Sequence, residues 1–259
     1  MDCINIAISK EQPESVIEYN FIVWANREAN KIIGVTFDKI KGQEVRNRKL
    51  LLYLTEKITA SGLPLLLIEH DFYNNDIEVV DCSTDKSCKY KIDADQLEEL
   101  ILKKFVIDNS FVRRDIRDIK AVNVRERVCD GFHTWSRSAF GAKVKKVDID
   151  CLLFKDHIRA TIEVKNTSRS QIPIEKWQPY PDDQYNYKII GLFSEHFLNC
   201  DFITLQHTLK HGTERRSADI NVGLWKYDNE LNFTQFRSDT NRKKVMFSQV
   251  INYYIEKDD

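Results

Sequence analysis

The chain is short of the residues that interrupt regular structure, with 8 Gly and 5 Pro among 259 residues. That scarcity excludes a collagen-like or low-complexity chain. No run of about 18 apolar residues occurs, so no segment reads as a membrane-spanning helix. The opening "MDCINIAISKEQPES" has an early acid, a short apolar stretch and no small-residue cleavage site, so it does not read as a secretory signal. Six cysteines lie scattered at 3, 82, 88, 129, 151 and 200. They form no disulfide framework and imply reduced thiols in a cytoplasmic protein. "CSTDKSC" (Cys82 to Cys88) lacks zinc-ligand spacing and a partner pair. G-x-x-x-x-G-K-[ST], G-x-G-x-x-G and G-x-S-x-G are all missing, so nucleotide hydrolysis, dinucleotide binding and a nucleophile elbow have no support. His133, His207 and His211 offer no metal pair either, because His207 falls on an expected strand and His211 in a turn.

What the chain does hold is enough apolar material for a real core. Hydrophobic residues make up 42%, with 14 Phe, 10 Tyr and 4 Trp. The length suits one large domain or two small ones. Net charge is −1, but unevenly spread: residues 1–100 carry 12 Lys/Arg against 18 Asp/Glu, and residues 103–146 carry 12 against 5. A basic middle beside an acidic N-terminal part suits a polyanion partner; a solvated helix with a basic face explains it equally.

Periodicity divides the chain. "CINIAIS" alternates and is expected as a first strand. "RNRKLLLYLTEKITASG" has helical spacing and stops at Gly62. "LPLLLIEHDF" fits a buried strand, and "DIEVVDCS" with "CKYKIDA" a hairpin. "DADQLEELILKKFVI" has caps and acids first and lysines last, matching the helix dipole. "SFVRRDIRDIKAVNVRERVCDGF" reads as one or two helices with a basic outer surface. "KVKKVDIDCLLF" and "IRATIEVKN" then read as two strands joined by "KDH". A loop follows, with three of the five prolines within 173–181. Next come a helix over "DQYNYKIIGLFSEHFLN" capped by Asp182 or Asp183, a strand "DFITLQHTL", a hairpin of "SADINVGLWKY" with "LNFTQFR", and a last helix in "KKVMFSQVINYYIEK".

One strand ends in a way that raises a chemical question. "IRATIEVKN" places Glu163 and Lys165 two apart, on one face, with Asp150 one strand earlier. A surface ion pair is one explanation. The other is a metal-dependent site: two adjacent antiparallel strands bring Asp150 and Glu163 together, and the Val164 carbonyl adds a third oxygen. Magnesium takes hard oxygen ligands and leaves positions for water and substrate. Lys165 would stand beside the attacking water, lowering its pKa or steadying developing charge. Asp118-Ile119-Lys120 has the same spacing, but in a helical segment where residues two apart diverge.

The order helix, strands, loop, helix, strand over residues 112–208, with Asp150 and Glu163-Val164-Lys165, resembles the PD-(D/E)XK nuclease superfamily. The leading proline is replaced by Ile149. The resemblance implies an α/β protein with a restriction-endonuclease-like core, a mixed central sheet flanked by helices. That core would occupy residues 106–259, beside an additional N-terminal α/β subdomain over residues 1–105. It implies Mg²⁺-dependent hydrolysis of DNA phosphodiesters, Mn²⁺ substituting, with 5′-phosphate products. RNA is not excluded, and a homodimer would cut both strands. The resemblance gives Asp150, Glu163 and Lys165 the roles above. Asp148, two residues earlier and expected on the same strand face, is the alternate ligand; Asp150 is preferred because "CLLF" follows it directly. Glu126 matches the acid many members carry on the preceding helix, or is an ordinary helix ion pair. Gln184 matches a glutamine some branches place near the metal, or is a plain helix-terminal residue. Asn166, Thr167, Ser168 and Arg169 would hold phosphates or be loop chemistry. Arg215, Arg216, Arg237, Arg242, Lys243 and Lys244 are further backbone contacts. Two rival functions remain: a transposon-end or repair nuclease active only in a complex, and a non-catalytic nucleic-acid-binding module.

Overall fold

A computed structural model describes residues 3–15, 19–42, 48–72, 74–83, 88–107, 131–141, 143–168, 170, 172–210, 214–227 and 245–256. It shows an α/β protein with two mixed sheets flanked by helices. Contacts divide the chain into two interleaved units: residues 1–17, 45–54 and 149–259, and residues 18–44 and 55–148. The division expected between residues 105 and 106 therefore falls elsewhere. Local patterning could not show this, because pairing between distant segments leaves no local signal.

The second unit holds a six-stranded sheet. Its strands are β1 (Asn20–Asn26), β2 (Ile32–Ile40), β3 (Leu65–Asp71), β4 (Asp76–Asp81), β5 (Cys88–Ile92) and β6 (Val144–Asp148), in the order β5-β4-β3-β2-β1-β6. Only β2 and β3 run parallel, and α2 (Arg48–Ala60) lies between them in the chain. Gly62 follows α2 with φ +76°, a left-handed position where glycine costs nothing. Trp24 organises the core. Its ring meets Phe105 at 5.5 Å and Phe140 at 5.2 Å, and its Nε1 donates to Thr36 at 3.0 Å. The rings come from α3 (Ala94–Lys104), whose C-cap is Phe105, and α4 (Gly131–Phe140). The capping box at α3 pairs Asp93 with Gln96.

The first unit holds the sheet β11-β10-β9-β8-β7. The strands are β7 (Cys151–Phe154), β8 (Ile158–Asn166), β9 (Asp201–His207), β10 (Asn221–Lys226) and β11 (Val245–Met246). Parallel β8 and β9 are joined through α5 (Gln184–Phe193), the crossover a parallel pair needs. One sheet face carries Leu153, Ile162, Ile203 and Leu205 against Ile4, Ala7 and Ile8 of α1 (Cys3–Glu11) and Phe247, Val250 and Ile251 of α6 (Phe247–Ile255). The opposite face carries Thr161, Glu163 and Lys165.

Two expectations are corrected here. "CINIAIS" is a helix, not a strand: Ile4, Ala7 and Ile8 recur at three and four residues and are buried together. "KVKKVDIDCLLF" is not one strand. It breaks at Ile149-Asp150, and its halves join different sheets, β6 on β1 and β7 on β8. The burial patterns show why: β6 is only partly covered, whereas all four residues of β7 are buried. The expected helices over 112–128 and the strand over 231–237 lie outside the described residues.

Candidate active site

The β7–β8 register puts Cys151 opposite Ile162 and Leu152 opposite Thr161, so Asp150 falls opposite Glu163. Side chains alternate, and both carboxyls therefore leave the sheet on the α5 face. Asp150 Oδ2 accepts from the Val164 main-chain N–H at 2.7 Å, and its carboxyl also shares a hydrogen bond with Glu163. Within a strand the N–H and C=O of one residue point to the same side, so the Val164 carbonyl is directed towards the same edge as Asp150.

Glu163 is buried, with 7% of its surface exposed, which removes the surface ion pair as an explanation. Lys165 Nζ lies 2.7 Å from Glu163 Oε1 and 2.8 Å from Asp183 Oδ2. The Tyr187 ring covers the ammonium at 5.7 Å, and its hydroxyl reaches Asp183 Oδ2 at 3.5 Å. Burial pushes the Glu163 carboxyl above its usual range, against the opposing charge and hydrogen bond of Lys165. Burial alone would lower Lys165, but the Glu163 charge and the hydrogen bonds to Asp183 and Glu163 outweigh it and hold the ammonium protonated. Burial likewise raises the Tyr187 hydroxyl. A buried carboxyl, Glu163, sharing a hydrogen bond with the exposed Asp150 and standing beside a cation tied to a third carboxylate, is an arrangement open to a further positive charge.

The donor chemistry suits magnesium. Two carboxyls and a main-chain carbonyl are hard oxygens, and a small protein contribution leaves positions for water and phosphate. Among the described residues no group of three or more His, Cys, Asp or Glu is arranged to hold a metal, so the site offers two acids rather than a full cage.

Among the described residues, the other expected ones do not join this cluster. Asp148 ends β6 in the other sheet, with Oδ2 3.2 Å from His133 Nδ1, so it does not share a strand face with Asp150. Gln184 opens α5 and is exposed; among the described residues no hydrogen bond joins it to Asp150, Glu163 or Lys165. Its neighbour Asp183 takes the place beside the lysine. Glu126, Arg169, Arg237, Arg242, Lys243, Lys244 and most of the basic stretch lie outside the described residues. Asn166 Nδ2 donates to Leu209 O at 3.1 Å, and buried Thr167 bonds Gln206 and His207, so these two build the loop. Arg215 and Arg216 are exposed. Lys104 and Lys146 from the basic segment are engaged by Asp81 and Ser136.

Asp183 and Tyr187 are the site residues that the pattern did not single out. Their signal was the four-residue spacing at the start of a helix, which puts both on one face. No family model, curated protein or solved structure matches the chain. Among the described residues no helix is long and apolar enough to cross a membrane.

Proposed function

We propose that the first unit is a restriction-endonuclease-like core and that the protein is a Mg²⁺-dependent nuclease hydrolysing DNA phosphodiesters. The observation that carries this reading is the placement of Asp150 directly across from buried Glu163, with Lys165 one step along the same face. Asp150, Glu163 and the Val164 carbonyl would hold the cation. When bound, it supplies charge neutralisation at the phosphate and acidifies water. Lys165 keeps its proton, so it acts as a fixed cation that steadies charge developing on the phosphate oxygens rather than as a base. Asp183 and Tyr187 orient the ammonium. Hydrolysis forms a bond from water oxygen to phosphorus and breaks the bond to the 3′ oxygen, leaving 5′-phosphate and 3′-hydroxyl ends.

The test is incubation of the purified chain with circular duplex and single-stranded DNA, in Mg²⁺, Mn²⁺ or EDTA, with end analysis of the products. Metal-dependent cleavage leaving 5′-phosphates is expected. Binding that is equal in EDTA, with no cleavage under any metal, would favour a non-catalytic binding module.

A further inference from the structure

Four threonines are buried among the described residues, and one of them differs from the rest. Thr36 accepts from the Trp24 indole at 3.0 Å, Thr161 shares a hydrogen bond with Ser194, and Thr167 accepts from the Gln206 amide. The Thr204 hydroxyl has no hydrogen-bond partner, although the residue is fully buried. A hydroxyl left unsatisfied in the interior costs stability that a valine of the same shape does not.

Its place in the sheet is specific. Thr204 is the register partner of Glu163, on parallel β9 and β8. Neighbouring strands lie about 4.8 Å apart, and paired residues put their side chains on one face. β8 stands between β7 and β9, so Glu163 has Asp150 on one side and Thr204 on the other. On β10 the partner of Thr204 is Trp225, whose indole has no acceptor to offer. Along β9, on the same face, Phe202 has none either, and Gln206 is turned elsewhere. Its amide nitrogen donates to Thr167 and to Ile172 O, and its Oε1 lies towards Gly223 on β10, where an added Cβ would meet it at 3.2 Å. Within the sheet, the acceptor left for the Thr204 hydroxyl is the Glu163 carboxyl.

We infer that Thr204 is a positioning residue for Glu163: its hydroxyl donates to the carboxylate when the site holds its cation, and fixes the direction in which that carboxylate points. This rests on the metal-dependent reading of the same site. Lys165 holds the carboxyl from along β8, and Thr204 holds it from β9. Removing a hydrogen-bond partner behind a metal ligand typically weakens metal binding about ten- to a hundredfold.

The experiment titrates the full chain with Mn²⁺ alone, by calorimetry and without DNA, and melts each protein in EDTA. Wild type is compared with Thr204→Val, Thr204→Ser, Glu163→Gln and the control Thr36→Val. The Mn²⁺ binding that Glu163→Gln abolishes is expected to weaken about tenfold or more in Thr204→Val and to return in Thr204→Ser. Thr204→Val is expected to melt at or above the wild-type temperature. Thr36→Val, which leaves the Trp24 N–H without its acceptor, is expected to melt lower and to bind Mn²⁺ as wild type does. Wild-type affinity in Thr204→Val, with binding still abolished by Glu163→Gln, would overturn the role of Thr204 and leave the metal reading standing. Equal weakening in the valine and serine variants would overturn it too, because the hydroxyl would not be the cause. Absence of any Mn²⁺ binding that depends on Glu163 would contradict the metal reading itself, and the role of Thr204 with it.

Discussion

Asp183 gives its carboxylate to Lys165, at 2.8 Å, and makes no capping hydrogen bond to the helix it opens. A helix N-terminus normally takes the side-chain oxygen of an acid in that place. Here the acid is turned to a cation on the neighbouring strand. Asp183→Asn is therefore expected to leave the fold intact and to slow turnover by about ten- to a hundredfold, mainly in kcat, because Lys165 loses one of its two anchors. Single-turnover kinetics beside a thermal melt would check this. A loss of melting temperature with unchanged kcat would make the contact merely structural.

Glu163 separates a functional site from a structural ion pair. Breaking a buried pair kept for stability costs about 3–5 kcal/mol. In this site burial already disfavours the charged form, despite Lys165. Glu163→Gln is expected to melt at or above the wild-type temperature while losing cleavage. Denaturant titration and a cleavage assay on one preparation would show both.

Much of this site could be seen in the sequence, because strand chemistry is local. Glu163 and Lys165 are two apart at the end of an alternating strand, and "CLLF" announces the buried strand that follows Asp150. Asp183 was visible only as a cap, since which way an acid at a helix start turns depends on the strand beneath it. The expected shared strand face of Asp148 and Asp150 was lost for a long-range reason: β6 pairs with β1, more than a hundred residues earlier, and β7 with β8. Ile4, Ala7 and Ile8 fit a strand or a helix until α1 is seen packed on the sheet.

The second unit has its own titrating acid. Asp38 lies at the sheet with Oδ1 lacking a hydrogen-bond partner and Oδ2 shared by Asn20 at 3.0 Å and His70 at 3.2 Å. Burial raises its carboxyl against those two hydrogen bonds, and the Asp148 charge adds to the rise. An acid raised in the folded state stabilises below its unfolded value and loses that contribution as pH rises through the folded one. Asp38→Asn should therefore gain on wild type in stability as pH rises from about 4 towards neutrality. Melts across that window would show a difference that grows with pH; a constant or shrinking difference would contradict the sign.

The thiols should differ sharply in reactivity. Burial, with Asp201 beside it, pushes Cys200 up to about 12, and burial with Asp81 pushes Cys82 up to about 11. At pH 8 their thiolate fractions are then roughly one in ten thousand and one in a thousand. Cys88 is in no disulfide and is exposed. Iodoacetamide footprinting of the native protein should label Cys88 first among the described cysteines and reach Cys82 and Cys200 only on unfolding.

The most direct test of the hydrolytic site is the rate of DNA cleavage in Mg²⁺ by wild type and by Lys165→Ala, with matched melting curves to show that both are folded. Removing the cation that faces the scissile phosphate should lower the rate by about 10²–10³-fold or more. A Lys165→Ala protein that cleaves at the wild-type rate would contradict the site.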